Sequence, residues 1–169
     1  MKKIVQGMLA VIMAINLSAC SLNNSEYKHP GEQMKDMGES IIECFENKDK
    51  DGLIALFSEN AKRRYSLEKE IETAFEFFDS EIAEYGEING DAGGGSSTPE
   101  GWVEREGTGF IEKIITQSGT TYRIIFGVCL IDKNDEDNVG VTDITIKNED
   151  VYETYGAIPE FKFTIGIRE

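Results

Sequence analysis

The chain is expected to fold as an α+β domain, with N-terminal helices packed on a curved antiparallel sheet. Three observations lead there. Apolar residues recur every three to four positions between residues 34 and 78, they alternate between residues 120 and 167, and the two regimes follow one another instead of interleaving. Helices that precede a run of strands leave no crossover helices for a parallel sheet, so the strands must pair antiparallel.

The N-terminal 19 residues stand apart from that domain. Met1-Lys2-Lys3 precedes an apolar run from Ile4 to Leu17, and the run closes on Leu17-Ser18-Ala19-Cys20. A charged start, an apolar stretch and a small-residue end make a secretory signal. The run is too short for the roughly 20 residues of a transmembrane span, and Gly7 and Asn16 interrupt it. Leu17–Cys20 resembles a lipobox, and that resemblance implies a diacylglyceryl group on the Cys20 thiol, cleavage before Cys20 and an acylated new N-terminus. Two or three acyl chains hold a protein stably where one is marginal. The expected address is therefore extracytoplasmic, on the membrane through the lipid.

Residues 20–33 read as a flexible tether, polar and without period, and they include His29-Pro30-Gly31. His29 is the single histidine of the chain. Placed in a tether it leaves the domain, residues 34–169, without a Ser-His-Asp triad, a Cys-His pair or a His-rich zinc site.

Met34, Met37, Ile41 and Phe45 mark a first amphipathic helix that halts at Asn47-Lys48-Asp49. Asp51 is expected to cap a short second helix through Leu53, Ile54, Leu56 and Phe57. Ser66 is expected to cap a third, with Glu68 and Glu70 in the turn where the helix dipole favours acids, and Leu67, Ile71, Ala74, Phe75 and Phe78 as its apolar stripe. Lys62-Arg63-Arg64 lies just before it and reads as a solvated face.

Beyond Asp79 the period changes. Ile82, Tyr85 and Ile88 form a short strand-like stretch, and Gly90 to Pro99, with its triple glycine, reads as a mobile loop. A phosphate cradle would need a following helix N-terminus, and Glu100-Gly101-Trp102 supplies none. Phe110–Thr116 is expected to pair through a Ser118-Gly119 turn with the strongest strand, Thr120–Ile131. There Tyr122, Ile124, Phe126, Val128 and Leu130 share one face, and Ile125, Cys129 and Ile131 the other. Val139–Ile146 and the alternating Phe161, Phe163, Ile165 and Ile167 complete the sheet.

Asp132, Asn134 and Glu136 carry alternate oxygens as a calcium loop does, but the bend glycine is missing and position twelve is Asp143, not Glu. A solvated hairpin tip accounts for the same residues, and no metal or other cofactor is expected. Cys44 and Cys129 both lie among apolar residues, where buried free thiols usually stand. A disulfide would be allowed by the compartment and is required by nothing.

Removal of residues 1–19 takes two lysines and no acid, so 15 basic residues face 32 acidic ones and the mature charge is −17. Such a field repels phosphate backbones and anionic headgroups, which excludes nucleic acid as a main partner and leaves the lipid to hold the membrane. About 150 residues suffice for one domain that buries roughly 70% of its unfolded surface.

The helix, the turn Asp49–Ser58, a helix ending Phe75-Glu76-Phe77-Phe78 and then a curved sheet together resemble the nuclear-transport-factor-2-like, or cystatin-like, fold. Tyr122-Arg123-Ile124 and Asp137-Asn138-Val139-Gly140-Val141 behind a lipobox resemble an uncharacterised family of clostridial lipoproteins, over about residues 34–148. The resemblance implies helices over one sheet face, a pocket at the mouth of the cone and a sheet face used for dimers or a protein partner. It implies no catalytic residue. Pocket lining is expected from Phe75, Phe78, Tyr85, Tyr122 and Phe126, the alternative being that these aromatics simply form the core. The favoured role is a non-catalytic, lipid-anchored module for a small ligand or a protein. The competing class is an acid-base enzyme of isomerase or dehydratase type, with Asp143, Tyr65 and Tyr122 as its raw material. Ile125 and Ile131 are expected to form an outward apolar patch for a second copy or partner.

Overall fold

A computed structural model describes residues 29–151 and 162–166. The signal segment and most of the expected tether lie outside them. Four helices come first: α1 (Pro30–Asn47), α2 (Lys50–Leu56), α3 (Glu59–Arg64) and α4 (Leu67–Phe77). Six strands follow: β1 (Ile82–Glu84), β2 (Ile88–Thr98), β3 (Gly101–Thr116), β4 (Thr121–Asp132), β5 (Gly140–Asn148) and β6 (Lys162–Ile165). All pair antiparallel in one sheet of order β1-β3-β4-β5-β6, with β2 also paired to β3. The expected α+β class, helices on a curved antiparallel sheet, is the fold of the chain.

Local chemistry sets the helix ends. Pro30 occupies the first helical position of α1, where its missing N–H costs nothing. The imidazole of His29 accepts from the Gly31 N–H at 3.3 Å, so the histidine assigned above to the tether caps a helix. Asp49, not Asp51, caps α2 through the Gly52 N–H at 2.9 Å. Ser58 caps the unforeseen α3, whose last turn is the Lys62-Arg63-Arg64 cluster, at the end where a helix dipole favours cations. Ser66 precedes α4 without a side-chain cap bond.

Two strand assignments need correction. Residues Gly90 to Thr98, read as a mobile loop, belong to β2 and pair with β3 from Ile88↔Ile111 to Thr98↔Gly101. Glycine has poor strand propensity, but here the long partner strand supplies the ladder, and Gly90 and Gly95 take the positive φ angles of 156° and 138°. The hairpin partner of β4 correspondingly starts at Gly101, not Phe110. The last strand is described at Lys162–Ile165; Phe161 and Ile167 lie outside the described residues.

The core lies between the helices and one sheet face. Met34, Ile41, Ile42 and Phe45 of α1 and Ile71 and Ala74 of α4 meet Ile111, Ile114, Ile124, Phe126, Ile144, Ile146 and Ile165, all buried. Each large side chain so buried contributes about 1.5–3 kcal/mol. On β4, Tyr122, Ile124, Phe126 and Val128 point inward as their alternation requires. Cys129 is buried as well, next to shifts in the register of β4 with both neighbours.

Candidate functional site

α3, its flanking residues and the far ends of β3, β4 and β5 surround an open polar cleft of about 170 Å³. Ser58, Asn60, Arg64 and Tyr65 line it from the helix side, Glu104 and Glu106 from β3, Cys129 and Asp132 from β4, and Asn138 and Thr142 from the turn into β5 and from β5 itself. The Glu104↔Asp132 and Glu106↔Cys129 strand pairs bring the acids and the thiol together.

Hydrogen bonds fix one wall. The Asn60 amide donates to Asn138 Oδ1 at 2.5 Å and to Asp135 Oδ2 at 2.9 Å, tying α3 to the β4–β5 turn. Arg63 adds an ion pair to Asp137 at 2.7 Å. The Asp132 carboxylate accepts from the Asn134 and Asp135 N–H groups and from Asn138 Nδ2 at 2.8 Å. These donors hold its pKa below the usual carboxylate range, the Asn138 amide foremost. The loop weighed above as a calcium ligand set thus spends Asp132 on its own backbone, and the turn continues as a single 3-10 turn, Glu136–Asn138.

The cleft has a negative field. Burial pushes the Cys129 thiol up, and the charges of Asp132, Glu106 and Glu104 push it further. Arg64 supplies the cation and has no ion pair among the described residues. Such a thiol is a poor nucleophile. The lining offers charged and hydrogen-bonding groups instead.

The aromatic residues expected to line a pocket are packed together instead. Phe78 lies 4.8 Å from the Tyr122 ring, Phe45 stands edge-on to Phe75 at 5.4 Å and to Phe78 at 5.6 Å, and Phe126 is fully buried. Tyr85 does not join them: it sits between β1 and β2, 41% exposed. Tyr122 Oη accepts from the Asp79 N–H at 3.2 Å, just beyond α4, and burial raises its pKa. Asp143 is half-buried and accepts from Thr142 Oγ1 at 2.9 Å. Of the three acid-base candidates only Tyr65 lines the cleft. Cys44 and Cys129 are free and buried.

Sequence reasoning did not reach Glu104, Glu106, Asn60 or Thr142. The signal was in Glu104-Arg105-Glu106, where strand alternation sets two carboxylates on one face.

Among the described residues no three His, Cys, Asp or Glu side chains are grouped to hold a metal, and no helix is long and apolar enough to cross a membrane. Fold and cleft together define an α+β protein with a helix-covered antiparallel sheet and a polar recess at one end. The chain belongs to the family described as Domain of unknown function (DUF5104), whose model matches residues 40–153. No curated protein matches it.

Proposed function

We propose that the chain is a lipid-anchored cell-envelope module that binds a small amphoteric molecule without chemistry, on a nuclear-transport-factor-2-like cone. The lipobox Leu17–Cys20 supports the address and the anchor. The binding reading is carried by how the interior is divided. Phe78 and Tyr122 pack together between α4 and the sheet, and an open cleft lies elsewhere among the described residues, where Arg64 meets Glu104 and Glu106. A guanidinium and three carboxylates, of which Asp132 is already engaged by backbone N–H groups and Asn138, around about 170 Å³ suit a ligand with both a carboxylate and an ammonium group, such as an amino acid or dipeptide. Chemistry is disfavoured because Tyr122 and Asp143 are each engaged locally instead of sharing a proton.

The mature chain with Cys20→Ser, heated with millimolar amino acids, dipeptides and diamines, tests the site. Amphoteric ligands should raise Tm, and Arg64→Ala should abolish the rise. A panel without effect would end the small-ligand version. Cys20→Ala in cells should move the protein out of the membrane fraction with the domain still folded, and retention on the membrane would refute the anchor.

The sheet face away from the helices is the surface for a protein partner or a second copy. A row of Phe110, Ile125, Thr145 and Thr164 crosses it in register. Ile125 and Ile131 are half-buried. Sedimentation velocity of the soluble mature chain against Ile125→Glu separates monomer from dimer.

A further inference from the structure

We infer that the tip of the β2–β3 hairpin rests on the outer membrane-water interface, with Trp102 as the contacting side chain; the inference rests on the lipid-anchor reading above. The direction of α1 carries it. Gly38, two turns into α1, packs on Ile88, whereas Met34 and Gly31, nearer its start, lie at Gly90. The helix therefore runs antiparallel to β2, and its N-terminus points toward the hairpin tip. The chain leaves toward Cys20 from that same end.

Lengths then set the contact. From Gly90 to Thr98 the strand advances about 26 Å at the usual rise. The segment from Cys20 to His29 reaches at most about 32 Å fully extended. A lipid on Cys20 thus holds the start of α1 within a distance of the bilayer that the hairpin itself nearly spans.

The tip is built for a shallow contact. Gly93, Gly94 and Gly95 bring no side chains and leave it slender, and residues 93–100 are all exposed. Trp102, opposite Ser97 and half-buried, is the single tryptophan of the chain. The Arg105 guanidinium stacks over its ring, 4.6 Å from the centroid. A tryptophan with an arginine beside it is the pair that settles at headgroup level, with the ring among the glycerol esters and the cation toward phosphate. Glu100 and Glu104 at the same tip oppose deeper insertion. The contact would set the cleft, which Glu104 and Glu106 line, facing the bilayer side of the domain.

Because Trp102 is the sole tryptophan, its fluorescence reads the contact directly. The lipidated mature chain is reconstituted in phosphatidylcholine vesicles with and without a headgroup nitroxide, and co-sedimentation is measured on the same sample. We expect the protein to sediment and Trp102 emission to fall by at least a third with the nitroxide, whereas Cys20→Ser protein mixed with the same vesicles is not quenched. Sedimentation without quenching overturns the hairpin contact and leaves the anchor standing. Failure to sediment overturns the anchor and the contact with it. A Trp102→Phe, Ser97→Trp variant moves the reporter across the hairpin and should be quenched to a similar extent; quenching confined to one reporter would show local dye contact and overturn the seated tip.

Discussion

The Phe126 ring lies directly against Gly109, its register partner on β3: a Cβ at Gly109 would come within 2.1 Å of Phe126 Cζ. The same ring reaches across to Gly38 of α1, at 3.4 Å from the Cβ position there. Gly109 thus makes the room for the aromatic ring, whereas Gly38 makes room for Ile88 of β2 and leaves the ring in ordinary contact with α1, so that helix and sheet approach closely.

Gly109→Ala should accordingly destabilise by about 1–3 kcal/mol, the usual cost of overpacking. Phe126→Ala should cost more, about 3–5 kcal/mol, through the cavity it leaves. Urea unfolding of the soluble mature chain checks both, with the midpoint expected to fall at unchanged slope.

Asp79 ties the end of α4 to the β3–β4 turn. Its carboxylate accepts from Ser118 Oγ at 2.6 Å and Thr116 Oγ1 at 2.8 Å, and from Thr120 Oγ1 as well. These hydroxyls, Ser118 first, lower its pKa from 3.8 to about 2. A depressed carboxylate contributes stability that is full above pH 4 and is lost as pH falls toward 2. The group is exposed, so screening limits the effect to about 1 kcal/mol or less. Asp79→Asn should lower Tm at pH 7 and flatten the stability curve between pH 4 and 2; an unchanged acid limb would disprove the tie.

The two remaining thiols should be inert in the folded Cys20→Ser chain. Burial, then Asp49 and Glu43, push Cys44 up to about 11, so about one thiol in a thousand is ionised at pH 8. Ellman's reagent should read close to none before guanidinium and both after it. Rapid reaction of one thiol in the native state would locate an opening near it.

Calcium should leave the melting temperature unchanged, because the Asp132 oxygens already accept from two backbone N–H groups and Asn138. Asp132→Ala should lower Tm, and it should loosen the Asn60–Asn138 contact and with it one wall of the cleft. A calcium-dependent rise in Tm that disappears in Asp132→Ala would reverse this assignment.

Much of the fold was legible because side-chain period reports which face is buried. The α1 stripe at Met34, Ile41 and Phe45 and the β4 alternation at Tyr122, Ile124 and Phe126 survive unchanged in the structure. The six residues of α3 are too short for a period, and four of them are charged, so that helix was invisible. β2 was hidden for another reason: triple glycine has no pattern, and its strand conformation comes from the β3 ladder beside it.

The site divides the same way. Sequence period turned Phe75, Phe78, Tyr122 and Phe126 inward, and they do pack with or against the core, but the same reading included Tyr85, which the structure leaves exposed. Periodicity shows that a side chain turns inward, but it carries no measure of the distance to the opposite wall. Only the tertiary structure decided that these rings pack on one another, Phe45 against Phe75 and Phe78, and Phe78 against Tyr122. It also decided where space remains, because the cleft is assembled from residues between Ser58 and Thr142 that no local pattern links.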